Sequence, residues 1–223
     1  MAISEGRLLP VSIRGLPRNF HKRHFPTKHQ EFSLGDEKLS FILQTILSQG
    51  DLQNGDRILI PFGGQGSIAH FLDYQGIPVI LGDIKYDGKY YKNPHIQLAN
   101  FRAEYPNGGG SETIDQSYIR WDARALPLEN ESQKIAIVNP PFGVNCEVEG
   151  DPIDLSVKAL IQLERVLVRG GVAYYVIPQP WSNSFIGEIE RLNIGMIPQV
   201  LHNNISSNED TKNPLCLIRI EKR

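Results

Sequence analysis

The sequence predicts an α/β domain whose short, mostly parallel strands are covered by helices on both faces, and three observations carry that expectation. From residue 34 onward, short runs of Ile, Leu and Val alternate with longer segments of helical period. A glycine-rich turn, Pro61-Phe62-Gly63-Gly64-Gln65-Gly66, joins the first of these runs to the helix after it. Asp83, Asp122 and Asn139 each stand at the end of a predicted strand. Strands that are apolar throughout leave no face for water, so helices cover both sides and the sheet is parallel. Ligands of such sheets bind beyond the carboxyl ends of the strands, where the strand order reverses.

Each element has its own signal. Residues 1–33 read as an extended arm, interrupted by Pro10, Pro17 and Pro26 and without a sustained apolar period. Arg14, Arg18, Lys22, Arg23 and Lys28 gather positive charge there, with His21, His24 and His29 among them. The domain proper is 34–223. Leu39, Ile42, Leu43, Ile46 and Leu47 fall at helical spacing, and Gly50 closes that helix. Residues 57–60 form the first strand, 67–74 a helix and 79–81 the second strand. A helix over 93–104 and a glycine loop at 107–110 lead to a third strand at 118–121, and 135–138 is the fourth. Residues 154–168 place Leu155, Ala159, Leu160, Leu163, Val166 and Leu167 on one helical face, which Gly170-Gly171 stops. The fifth strand is 172–177 and the last 215–220. The alternation shows no internal repeat and no long low-complexity stretch.

Composition narrows the function classes. The chain has 223 residues, 40% hydrophobic and 22% charged, with 23 Lys+Arg against 25 Asp+Glu and a formal charge of −2. That is the composition of an ordinary globular protein, and one full-sized domain fits the length. No apolar run approaches the roughly 20 residues of a membrane span. The start, MAISEGRLLP, lacks the basic and apolar regions of a secretory signal. Cys146 and Cys216 cannot build a disulfide framework, so a reducing cytoplasm is expected. The charge argues against a uniformly basic nucleic-acid coat while leaving room for a local basic face. His21, His24 and His29 have no cysteine pair near them, and no metal site is expected.

Two constellations carry chemistry. In the glycine turn, Gly63, Gly64 and Gly66 let the backbone bend tightly and approach a ligand. Asp83 follows Gly63 by 20 residues, where a carboxylate can accept hydrogen bonds from both hydroxyls of a ribose. Together they specify a cofactor containing adenosine. Asp122, after the third strand, can receive the exocyclic amine of an adenine while the N–H of Ala123 faces a ring nitrogen; an Asp there also caps turns. The second constellation is Asn139-Pro140-Pro141-Phe142. Prolines fix φ and lack an N–H, so the segment leaves the sheet as a rigid turn. The Asn139 amide oxygen and the Pro140 carbonyl become two acceptors in fixed geometry. A planar amine donating to both is oriented with its lone pair toward a methyl donor, and Phe142 offers a face for a base. Trp181, after Pro178-x-Pro180, either walls that pocket or is buried against the sheet.

The order Pro61-Phe62-Gly63-Gly64-Gln65-Gly66, Asp83, Asp122 and Asn139-Pro140-Pro141-Phe142 resembles the class I S-adenosylmethionine-dependent methyltransferases over roughly residues 24–180. Among them it is most similar to the amino-methyltransferases, especially those acting on adenine N6 of DNA. The resemblance implies a Rossmann-like, doubly wound, mostly parallel seven-stranded sheet. It implies that Pro61, Phe62, Gly63, Gly64 and Gly66 hold the methionine part of the cofactor, Asp83 the ribose, and Ile84, Asp122 and Ala123 the adenine. Asn139, Pro140, Pro141 and Phe142 then hold the target amine. His24-x-Pro26-Thr27-Lys28 is similar to an element that closes over the methionine end in some of these enzymes, with Phe25 inserted, and implies cofactor contacts from Thr27 and Lys28. One departure is Ile60, which stands where the family has an acid that helps fix the amino end of the cofactor.

On this reading the enzyme aligns an amine with an activated methyl group and needs no strong base. A duplex base must be flipped out to reach such a pocket. The basic arm can contact phosphates or remain a solvated tail. Glu147, Glu149, Asp151 and Asp154 follow the Asn-Pro-Pro-Phe turn and oppose phosphate there, while residues 203–210 offer a further polar contact. A separate recognition domain of ~100 residues has no room, so either a partner subunit or domain chooses the target or the substrate is structured RNA. DNA is favoured over RNA, with adenine N6 first. Cytosine N4, guanine N2 or adenine N6 of RNA, and a protein glutamine all present a comparable amine. Two other classes stay open: an NAD(P) oxidoreductase built on Gly64-x-Gly66-x-x-Ala69, and a non-catalytic relative.

Overall fold

The structure is a computed structural model that describes residues 36–53, 55–64, 66–85, 117–142, 148, 150–206 and 213–223. In chain order the elements are α1 (Asp36–Ser48), β1 (Ile58–Ile60), α2 (Ser67–Tyr74), β2 (Val79–Gly82), β3 (Ser117–Ile119), β4 (Gln133–Val138), α3 (Pro152–Val166), β5 (Leu167–Pro178), α4 (Ser182–Leu192), β6 (Met196–Ile205) and β7 (Leu215–Lys222). A single 3-10 turn, Gln179–Trp181, links β5 to α4. The predicted arm 1–33, the helix over 93–104 and the loop 107–110 lie outside the described residues.

Seven described strands form one sheet in the order β3-β2-β1-β4-β5-β7-β6. β1 pairs in parallel with both β2 and β4, and β4 pairs in parallel with β5. Only β7 runs the other way among them, antiparallel to β5 and to β6. The chain thus winds outward from β1 through β2 to β3, then returns to the far side of β1 as β4. That reversal between β1 and β4 is the switch point where ligands of such sheets bind.

Packing follows the apolar pattern. β1 and β2 are buried along their whole length, as the run of Ile, Leu and Val requires. One core layer joins the sheet to α1 and α2 through Leu39, Leu43, Phe71 and Tyr174, and the other joins it to α3 and α4 through Leu160, Leu163, Tyr175 and Phe185. Tyr174 and Tyr175 sit side by side on β5 and point to opposite layers, as the two-residue period of a strand demands. Asp151 starts α3 by accepting the Ile153 N–H at 2.9 Å, with Pro152 in the first turn. No described helix is long and apolar enough to cross a membrane.

The structure departs from the sequence expectation at three places. Gly170-Gly171 does not stop the helix: α3 ends at Val166 and β5 begins at Leu167. Gly170, at φ 73°, lies in a bulge where the β4–β5 register shifts between Gln133 and Ile135. The third strand runs from Ser117 to Ile119 and ends two residues before Trp121. Lastly, α4 and β6 were not expected. β6 is an exposed edge strand carrying His202, Asn203 and Asn204 and two register irregularities, so it shows no clean alternation.

Candidate cofactor and amine site

β1 and β4 lie side by side with Leu59 opposite Ala136. Continuing that offset puts Phe62 opposite Asn139, so the glycine turn and the Asn-Pro-Pro-Phe turn leave adjacent strands at the same edge. The two constellations that the sequence separates by more than seventy positions are neighbours across the switch point.

The glycine turn is held by its own backbone. Gly63 donates to the Gly82 carbonyl at 2.8 Å and Gly66 to the Gly63 carbonyl at 2.9 Å. Gly64 and Gly66 take φ of 50° and 84°, in the left-handed region, where a side chain is strained. Gly66 precedes α2, whose first turn closes by His70 N–H donating to the Gly66 carbonyl at 2.8 Å. Phe62 packs into the α3–α4 layer. Ile60, at the position of the family's acid, is 1% exposed and belongs to the opposite core layer.

Asp83 ties this turn to β2. Its Oδ2 accepts the Gly64 N–H at 3.0 Å, and its Oδ1 accepts the Lys85 N–H at 2.9 Å. Burial pushes its carboxyl above the ordinary carboxylate range, against the two backbone donors that favour the charge. Ile84 beside it is 51% exposed, an apolar side chain open to solvent. Arg120 Nε donates to the Ile84 carbonyl at 3.3 Å.

Asp122 is engaged by Arg124. Nη2 donates to Oδ2 at 2.7 Å, Nε reaches both oxygens at 3.0 Å, and the Arg124 backbone N–H reaches Oδ1 at 2.9 Å. The Arg124 guanidinium holds the Asp122 carboxyl below its usual range. Ala123 is buried beside it. Sequence reasoning missed Trp121, read only as the end of a strand. Its indole N–H donates to the Pro61 carbonyl at 2.9 Å, and the ring lies so close to Gly82 that a Cβ there would sit 2.3 Å from it.

On the other side of the switch point, Asn139 follows β4. Its Oδ1 is buried and has no hydrogen-bond partner among the described residues. Pro140 is buried, whereas Asn139, Pro141 and Phe142 keep partial exposure. Phe142 packs against both core layers, and its ring meets Trp181 edge to face, with centroids 6.0 Å apart at 89°. Trp181 ends the 3-10 turn, which is fastened by Gln179 N–H donating to the Pro214 carbonyl at 2.9 Å and by Ser182 Oγ–H donating to the Gln179 carbonyl at 2.8 Å. The residues expected to surround a substrate are therefore in contact. Thr27 and Lys28 lie outside the described residues, as do Cys146, Glu147 and Glu149. Of the acids expected to repel phosphate, Asp151 caps α3 and Asp154 pairs with Lys158 at 2.7 Å. Among the described residues no group of His, Cys, Asp or Glu is arranged to hold a metal.

A glycine turn bonded to a partly buried carboxylate thus leaves one strand, and a buried acceptor with no donor among the described residues leaves its neighbour. No protein-family model and no curated protein matches the sequence. Solved structures do match in shape. A SAM-dependent methyltransferase from Methanosarcina mazei aligns with 79% of this chain and 96% of its own at 16% identity and TM-score 0.54. A candidate RNA methyltransferase from Pyrococcus horikoshii aligns over 85% of both chains at 16% identity and TM-score 0.54. A candidate methyltransferase from Streptococcus mutans, solved with S-adenosylhomocysteine (SAH), covers 93% of this chain and 99% of its own at 13% identity and TM-score 0.50. The chain has the Rossmann-like fold of class I S-adenosylmethionine-dependent methyltransferases.

Proposed function

We propose that the protein is an S-adenosylmethionine-dependent methyltransferase acting on a planar exocyclic amine of nucleic acid, with adenine N6 of DNA first. The observation that carries this reading is the orphaned, buried Oδ1 of Asn139 at the same sheet edge as the glycine turn. A buried acceptor left unpaired costs about 1–3 kcal/mol, and an incoming NH2 group relieves that cost.

When bound, S-adenosylmethionine supplies a methyl group already activated on a sulfonium, so the chain's task is alignment. Pro61, Phe62, Gly63, Gly64 and Gly66 form the backbone cradle for its methionine end, to which the sequence resemblance also assigns Thr27 and Lys28. Asp83 accepts from the ribose hydroxyls with the lone pairs that Gly64 and Lys85 leave free. Ile84, Asp122 and Ala123 receive the adenine. Asn139 Oδ1 and the Pro140 carbonyl accept the two amine hydrogens and stabilise the positive charge that develops on nitrogen as it gains a methyl group. Phe142, braced edge to face by Trp181, offers an aromatic surface beside Asn139 on which a base can stack, which favours a base over a glutamine side chain. Guanine N2 or adenine N6 of RNA and cytosine N4 fit the same slot.

A partner subunit or domain chooses the target, and the positive charge gathered between Arg14 and Lys28 suits phosphates. The cytoplasm is the expected compartment. Ile60 favours one competing reading, a non-catalytic relative, because no acid stands there to fix the cofactor's amino end. Mass spectrometry of nucleosides, after incubating the protein and labelled cofactor with mixed DNA and RNA, decides between them. N6-methyladenine in the DNA fraction is the expected product. Cofactor binding without a methylated nucleoside would leave the non-catalytic reading standing, and a thermal shift with NAD in place of SAH would restore an oxidoreductase.

A further inference from the structure

We propose that Trp121 is the positioning residue that fixes the methionine-binding turn against the nucleoside-binding half of the cofactor site; the inference rests on the cofactor reading above. One indole touches or adjoins three described segments assigned to the cofactor. Its N–H donates to the carbonyl of Pro61, the residue that opens the glycine turn. Its ring covers Gly82, whose carbonyl in turn accepts the Gly63 N–H and whose next residue is Asp83. Its own next residue is Asp122. The ring is only 4% exposed, so the hydrogen bond is made away from water.

Gly82 is what allows this approach. A Cβ built there would lie 2.3 Å from Cε2 and 2.4 Å from Cδ2 of the indole and 2.4 Å from the Ile119 carbonyl, distances no side chain tolerates. The indole therefore replaces a side chain of β2 and reaches through that gap to β1. Two kinds of tie result. The ring packing on Gly82 holds the third strand's end beside Asp83, whereas the N–H alone reaches across to Pro61 and sets where the turn begins.

Substituting Trp121→Phe separates the two, because phenylalanine keeps an aromatic ring over Gly82 and lacks the donor. A ligand spanning both halves feels the loss, and a ligand confined to the nucleoside half does not. Calorimetry with SAH and with 5′-methylthioadenosine, which lacks the amino-acid end, reads this directly. Loss of one buried hydrogen bond is expected to weaken SAH roughly five- to tenfold and 5′-methylthioadenosine less than about twofold. Ile220→Ala, a buried core change on β7, three strands away from β1 in the sheet, serves as the control for general destabilisation and is expected to lower the melting temperature without changing the ratio of the two affinities. Equal weakening of both ligands by Trp121→Phe, or no weakening of either, overturns the positioning role. Failure of the unmodified protein to bind SAH overturns instead the cofactor reading on which it rests. Should Trp121→Phe fail to fold, Trp121→His keeps a ring N–H donor, and it upholds the role by retaining the wild-type affinity ratio or overturns it by losing it.

Discussion

The two sides of the switch point are built on opposite principles. On the β1–β2 side the groups around the glycine turn are tied to one another: Gly63 to Gly82, Gly64 and Lys85 to Asp83, Trp121 to Pro61. On the β4 side Asn139 Oδ1 is left without a donor. A cradle that must accept a flexible, charged ligand gains from being rigid before the ligand arrives. A group that must follow a change in charge gains from having its acceptor capacity uncommitted. The difference teaches where stability and activity part company in this fold.

Asn139→Ala breaks the comparison most sharply. Removing an electrostatic acceptor of this kind is expected to slow methyl transfer by about 10²–10³-fold. SAH affinity is expected to hold within about twofold, since the cradle on β1 and β2 is untouched. The melting temperature is expected to stay level or rise, because the variant deletes an unsatisfied buried acceptor rather than a made bond. A transfer assay, calorimetry and a thermal melt on one preparation check all three, and undiminished turnover would remove Asn139 from the chemistry.

A fully answered polar cluster lies away from the site and supplies the contrast. Asp51, after α1, accepts from Arg219 Nε at 2.9 Å and Nη2 at 3.0 Å and from the Tyr174 hydroxyl. Arg219 Nη1 also donates to Glu221 at 2.7 Å. Burial opposes the charge on Asp51, but the Arg219 fork and the Tyr174 hydroxyl outweigh it and hold the carboxyl below 3.8. Its folded pKa lies below the unfolded one, so its contribution is complete above about pH 4 and is lost as pH falls through the folded value. Asp51→Ala leaves Arg219 and Tyr174 without their partner and is expected to cost about 2–3 kcal/mol of stability at pH 7. Turnover per folded molecule is expected to be unchanged. Denaturant melts at pH 7 and pH 3 check the sign: the gap between wild type and variant should narrow at the lower pH.

Asp83 sharpens the comparison within the cradle, because its shift has the other sign. Burial lifts its carboxyl above 3.8 in spite of the Gly64 and Lys85 donors. A raised folded pKa means that the carboxyl favours folding below the unfolded pKa, and this contribution is lost as pH rises through the folded value; its ionised form is thus a cost at neutral pH. The proposed contact with the ribose hydroxyls is strongest with that ionised form. SAH affinity is therefore expected to begin falling, on acidification, at a higher pH than an ordinary aspartate would impose, before the Asp51 cluster titrates. Titrating SAH affinity from pH 7 downward beside the melting temperature tests this; coincident losses would show that unfolding, and not Asp83, sets the profile.

Much of this was legible because it is local. Gly66 and Gly76 punctuate α2, so its bounds match those expected, and Pro140-Pro141 marks the corner after β4 without knowledge of any contact. What escaped depends on partners distant in the chain. Trp121 bonds to Pro61, 60 positions away, and its place over Gly82 is a property of packing. Gly170-Gly171 has the composition of a helix stop, yet α3 has already ended and the pair lets β5 bulge. β6 is buried only at its two ends, so hydrophobic period could not find it, whereas Phe185, Ile189 and Leu192 of α4 do stand at helical spacing.

The smallest effect is expected at Arg124. Its fork lies on Asp122 in an ion pair whose side chains are 39% and 32% exposed, where such pairs are worth at most ~1 kcal/mol. A carboxylate offers about four acceptor positions, and the Nε, Nη2 and backbone N–H of Arg124 already use most of them. An adenine amine directed to the same oxygens must share or displace that fork. Arg124→Ala is therefore expected to tighten SAH binding roughly two- to threefold at low salt. Added salt, which weakens the exposed pair, is expected to bring the wild type toward the variant while leaving the variant unchanged. Calorimetry at two ionic strengths separates the outcomes: a variant that binds more weakly at both would mean that Arg124 covers the adenine instead of competing with it, and Asp122 would then serve the turn and not the cofactor.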